Sequence, residues 1–174
     1  ASPKELREAY RGAGINEKAP WAAFEDAQLA LQWLHDKTDL NIDSSRIAVL
    51  GSSAGALTAL KLGYRLDEVD SQVVAPAAVT AIWGSLDNDD TSVIETGEPP
   101  LLLIHGTKDK IVNFNSSLLM YQRSQEVGVA VELVPLQDRG HGLRNSDFFS
   151  MRVNSGVTVF EKIFTFTNAA LFEP

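Results

Sequence analysis

The sequence has 174 residues, a formal net charge of -8, 44% hydrophobic and 22% charged residues, which fits one ordinary globular domain and excludes wholesale disorder. Such acidity argues against nucleic acid or an anionic membrane as partner. Cysteine is absent, excluding disulfides, thiolate catalysis and thiolate metal sites, and no run reaches the ~18 apolar residues of a membrane span.

Residues 1–20 are polar, with a short helix expected over 4–10. Over 21–37 the apolar positions Phe24, Ala27, Leu31 and Leu34 recur at helical spacing, predicting an amphipathic helix with one buried stripe. Residues 46–50 form a short apolar run rich in strand formers, broken by Gly51 to Gly55, and 54–64 follow as a helix. The alternation repeats downstream, with strands at 79–83, 101–105 and 129–136. Helices are expected over 116–127, closed by Gly128, and over 156–172, the latter with Val157, Phe160, Phe164 and Leu171 on one face. Apolar strands interleaved with amphipathic helices predict an α/β fold whose parallel sheet is covered on both faces.

Gly51-Ser52-Ser53-Ala54-Gly55 has the form G-x-S-x-G between a predicted strand and a predicted helix. A serine at so sharp a turn is held in strained backbone, and the flanking glycines leave room for close approach of the chain. The N–H of Ala54 then points to where an oxyanion develops, aided by the helix dipole. A Gly/Ser-rich turn without chemistry is the alternative, and a phosphate loop would need a Lys followed by Ser or Thr. Ser52 is the rival nucleophile.

A serine needs a base, and the base an orienting carboxylate; at such a turn they follow in the order nucleophile, acid, histidine. Of three histidines, His35 falls in the first helix and reads as a surface residue, and His105 ends a buried strand. His141, between Gly140 and Gly142 after the last strand, is the candidate base. Asp109, in the loop after the strand 101–105, is the candidate acid, with Asp138 its rival.

The run from Asp43 to Gly55 resembles the nucleophile segment of α/β-hydrolase carboxylesterases, including the hormone-sensitive-lipase-like and feruloyl-esterase-like groups. Pro99 to Asp109 with Ile111-Val112 resembles their acid segment, and Gly140-His141-Gly142 their histidine loop. Residues 21–34 are similar to the helix preceding the nucleophile strand. The resemblance implies ester hydrolysis through an acyl-enzyme, without cofactor or metal. One departure matters: no His-Gly-Gly type loop precedes Ser53, and Tyr10-Arg11-Gly12 looks like the end of a strand that the family places just before the first helix. The chain thus reads as starting in mid-fold, a single shortened domain without a lid, its first strand an open edge.

The leading expectation is a serine esterase acting on small, short-chain esters. Ser53, Asp109 and His141 are its triad, Ala54 its oxyanion donor, and Ser52, Trp83 and Gly84 candidate substrate contacts, Trp83 reading equally well as a core residue. A second copy, or a complementing amino-terminal chain, is expected to cover the edge. A non-catalytic subunit binding a partner through that edge, and a serine peptidase or acyltransferase, are the alternatives. The compartment is left open.

Overall fold

The computed structural model describes residues 15–66, 74–153 and 156–173. The expected helix over 4–10 and the strand end at Tyr10 to Gly12 lie outside them. Four strands, β1 (Ala48–Ser52), β2 (Ala78–Ile82), β3 (Leu101–Gly106) and β4 (Val131–Leu136), form one parallel sheet in the order β1-β2-β3-β4. Every residue of β2 and β3 is buried, as continuous apolar strands covered on both faces require.

Side-chain alternation sorts the core into two layers. Val79, Ala81, Leu101 and Leu103 pack with Ala56, Leu60 and Tyr64 of α2 (Ala54–Tyr64) and with Met120 of α3 (Phe114–Val127). Ala78, Ile82, Leu102 and Ile104 face the other way, toward Val159 and Phe166 of α5 (Val159–Phe172). The first helix, α1 (Ile15–Asp36), sets Phe24 and Leu31 against Leu62 and Leu66. It starts before the expected position 21, with Pro20 inside it. A proline inside a helix lacks one ladder donor and crowds the carbonyl four residues before it. The wholly buried Lys61 of α2 links it to α1 and to the segment after β2, its Nζ 2.7 Å from Asp87 and 3.7 Å from the Trp21 ring centroid.

The last helix departs from expectation in its buried face. The cap is legible: Thr158 and Glu161 form a reciprocal capping box, so the helix begins at Val159. The inward row is Val159 and Phe166, with Ile163 and Ala170 partly buried beside them, whereas Phe160 and Phe164 are exposed and stack on each other, Phe160 also lying tilted against Phe149 of α4 (Asn145–Ser150). Two apolar stripes share this helix, and periodicity alone does not choose between them.

Both edges of the sheet are open among the described residues. β4 carries Pro135, which lacks a ladder donor and suits an edge. Among the described residues β1 pairs only with β2, and Leu50 is 55% exposed on it. No helix among the described residues is long and apolar enough to cross a membrane.

The turn from β1 into α2 is built on one glycine. A Cβ on Gly51 would lie 2.0 Å from the carbonyl oxygen of Gly55, whereas one on Gly55 would meet nothing within 4 Å. The first glycine is therefore demanded by close approach and the second is not, contrary to the symmetric expectation. Gly51→Ala is expected to destabilise the chain by about 3 kcal/mol or more, lowering the melting temperature by roughly 10 °C. A thermal melt within a degree or two of the parent would mean that the turn relaxes.

Candidate active site

Ser53 sits alone between strand and helix, with φ 54° and ψ -121°. Positive φ is unfavourable for a residue with a Cβ; it is held here by β1 on one side and by the start of α2 on the other. The Ser53 N–H donates to the Ile82 carbonyl at 3.0 Å, and its carbonyl accepts from the N–H groups of Ala56 and Leu57. The Ala54 N–H, first in its helix, has no acceptor within that helix and lies at the positive end of its dipole.

The acid and the histidine come from two loops sewn together at the same end of the sheet. After β3, Thr107 N donates to the Leu136 carbonyl and Lys108 N to the Arg139 carbonyl; the Thr107 hydroxyl accepts from Asp138 N. A Cβ on Gly106 would lie 2.4 Å from the Arg139 oxygen, so only glycine lets the loops meet this closely. The consequence is a line of contacts: Ser53 Oγ to His141 Nε2 at 2.8 Å, and His141 Nδ1 to Asp109 Oδ2 at 2.7 Å. An ionised carboxylate only accepts, so Nδ1 carries a proton and Nε2 is free to accept from the serine hydroxyl.

Asp109 is wholly buried in its side chain. Burial pushes its carboxyl up, but the Ile111 N–H, the His141 ring and the Val112 N–H outweigh it and hold it below the ordinary 3.8. Its Oδ1 takes both backbone donors, at 2.8 and 3.0 Å, leaving Oδ2 for His141. With its value depressed on folding, Asp109 contributes stability that is full above pH 3.8 and lost as pH falls below it.

The other candidates separate clearly. Ser52 is exposed at the end of β1, and Nε2 meets Ser53 rather than Ser52. Asp138 is exposed and pairs with Lys108 at 2.7 Å. His35 is half-buried rather than on the surface, and takes no part in this line of contacts. Trp83 is 5% exposed, with φ 40° and its ring centroid 6.1 Å from that of His141 and 6.3 Å from that of Phe148. Gly84 is buried against α2, where a Cβ would lie 2.3 Å from that of Ala56. Sequence reasoning missed α4, which supplies Phe148, since its six residues show no helical period. Among the described residues, no group of three or more His, Asp or Glu side chains is placed to hold a metal ion.

A parallel sheet with helices on both faces and a serine at its strand–helix turn defines an α/β-hydrolase fold. Thermogutta terrifontis esterase 2 shares it at a TM-score of 0.64 and 23% identity, over 86% of this chain and 63% of that one. An α/β hydrolase from a Medee basin deep-sea metagenome library shares it at a TM-score of 0.64 and 21% identity, over 85% and 64%. The chain belongs to the phospholipase/carboxylesterase family, whose model matches residues 21–153. Human alpha/beta hydrolase domain-containing protein 17B is 24% identical over 143 residues, 76% of this chain and 48% of its own length. The Xenopus laevis protein of that name is 23% identical over the same shares. This chain thus spans about half the length of these curated relatives.

Proposed function

We propose that the chain is a serine carboxylic-ester hydrolase that acts through an acyl-enzyme on small, short-chain esters without a cofactor. The observation that carries this reading is the unbroken contact line from Ser53 Oγ through His141 to the buried Asp109. As the Ser53 oxygen attacks the ester carbonyl, His141 Nε2 takes its proton, and Asp109 steadies the imidazolium. The Ala54 N–H and the α2 dipole stabilise the oxyanion. His141 then returns the proton to the departing alcohol, and water, activated by the same base, releases the acid. Trp83, with Gly84 behind it, forms the wall beside His141, and Ser52 lies at the rim.

Short acyl groups are favoured by one neighbour: Thermogutta terrifontis esterase 2 has been captured with butyrate bound and phosphorylated by paraoxon. The nucleophile and acid segments support a hormone-sensitive-lipase-like or feruloyl-esterase-like subgroup. The test is to treat the chain with a fluorophosphonate and locate the adduct by mass spectrometry, alongside hydrolysis of p-nitrophenyl acetate and butyrate. A single adduct on Ser53, with turnover of both esters, is expected. No adduct and no turnover would refute the reading, and faster cleavage of amides would turn it toward a peptidase.

The β1 edge, open among the described residues, favours a second reading, a subunit that binds a partner there. Apolar strand edges are rarely left bare. A second copy or a complementing amino-terminal chain is proposed to cover this one. A sizing run is expected to show a species larger than the 18.9 kDa monomer; a dilute monomer with no partner chain would count against cover of either kind.

A further inference from the structure

His105 is the next-to-last residue of β3 and is wholly buried. Three polar groups meet its ring: Ser117 Oγ at 2.7 Å from Nδ1, the Val112 carbonyl at 3.0 Å from Nε2, and Asp109 Oδ2 at 3.2 Å from Nε2. The last two are acceptors only, so Nε2 carries the proton and shares it between them. Nδ1 of the neutral ring then accepts from the hydroxyl of Ser117, itself buried on α3. Phe114 closes the pocket edge-on, with ring centroids 5.8 Å apart.

Resting on the ester-hydrolase reading above, we infer that His105 is a positioning residue of this site: with its Nε2–H set by the Val112 carbonyl and its Nδ1 met by the Ser117 hydroxyl, it fixes the Asp109 carboxylate that faces His141. The line of contacts thereby runs Ser117, His105, Asp109, His141, Ser53. Asp109 meets four donors in all, two on each oxygen, so its carboxylate is fixed in both orientation and charge. The preceding residues Leu102 to Ile104 are apolar. A buried imidazole at the end of this run costs desolvation, a cost that a core position filled with leucine would avoid. Burial pushes the His105 imidazole below the ordinary 6.5, in keeping with a neutral ring. The groups facing it are Asp109 and the Val112 carbonyl from the loop, Ser117 and Phe114 from α3, and His141 beyond the carboxylate. The Lys108–Asp138 pair is exposed outside this pocket.

Without the His105 N–H, Oδ2 serves His141 alone and its charge is less shared. The imidazolium is then favoured, and the acid limb of the kcat/KM profile moves to higher pH. The experiment compares the full chain with His105→Leu, which removes the donor, and with His105→Gln, whose amide N–H reaches the Nε2 position. In His105→Leu, kcat is expected to fall about 10- to 100-fold, the scale of a misplaced catalytic group, with little change in KM. The acid limb should rise by about half a pH unit or more. His105→Gln should recover most of kcat and return the limb. Two folded variants with parental kcat and limb would overturn the proposal, as would two equally slow ones with the limb unmoved.

Should His105→Leu not fold, Ser117→Ala loosens the same tautomer and is expected to move the limb the same way; an unmoved limb there overturns the inference. A chain that turns over no ester fails the earlier reading by itself. In that case the far-downfield proton resonance of His141 Nδ1–H reads the link without turnover. A shift in His105→Leu or Ser117→Ala, with return in His105→Gln, supports it. A resonance identical in every variant overturns it.

Discussion

Ser53→Ala is expected to abolish ester turnover while leaving the fold intact. The Ser53 hydroxyl is hydrogen-bonded to His141 and to no other side chain among the described residues, so its loss removes the nucleophile and breaks no further side-chain hydrogen bond. Alanine keeps the Cβ that already tolerates φ 54° at this turn, and the backbone bonds to Ile82, Ala56 and Leu57 remain. Loss of such a serine removes on the order of 10⁶ in kcat where it acts as a unit with its base. Here a fall of at least about 10³-fold is required. The check is p-nitrophenyl butyrate hydrolysis beside a thermal melt and fluorophosphonate labelling. Turnover that survives at parental rate would dismiss Ser53 and turn attention to Ser52.

Asp109→Asn should cost about 10⁴ in kcat for a reason specific to this loop. The Ile111 and Val112 N–H groups both point at Oδ1, so the new amide must place its carbonyl oxygen there. Its NH₂ then occupies the Oδ2 position, facing His141 Nδ1 and His105 Nε2. Two donors cannot satisfy one another. His141 is driven to the tautomer that accepts at Nδ1 and carries its proton on Nε2, where it can no longer take one from Ser53. The measurement is kcat for the folded variant, with circular dichroism to confirm the fold. A loss below about 10-fold would mean that the carboxylate does not orient the base.

Much of the fold could be read from the chain because buried parallel strands are apolar throughout and their helices are not. The bounds of α2 agree with expectation, and Gly128 closes α3 in the left-handed conformation expected of a helix-ending glycine. β1 was harder. Gly51 looks like a breaker, yet the ladder runs through it, pairing Gly51 with Ala81 and Ser52 with Ile82. The strand therefore ends two residues later than its apolar run. The meeting of Ser53, His141 and Asp109 was foreseeable because chemistry restricts which residue types can act and chain order restricts which copies. What surrounds them was not. The bond between His105 and Ser117 joins a strand to a helix, and Phe148 reaches Trp83 from a helix without a periodic pattern. Such contacts are products of packing, and no local sequence feature encodes them.

The sewing of the two loops has a kinetic corollary. Ser53 and His141 are 88 residues apart in the chain, and Asp109 and His141 are 32 apart. Contacts of such long range carry the entropy of closing large loops and form slowly. The serine turn rests on β1, β2 and α2, whereas the histidine reaches it only after β4 has joined β3 and its loop has locked onto residues 106–108. Refolding from urea should thus regain helical signal first and reactivity toward a fluorophosphonate last, making the site a clock for the final docking step of the chain.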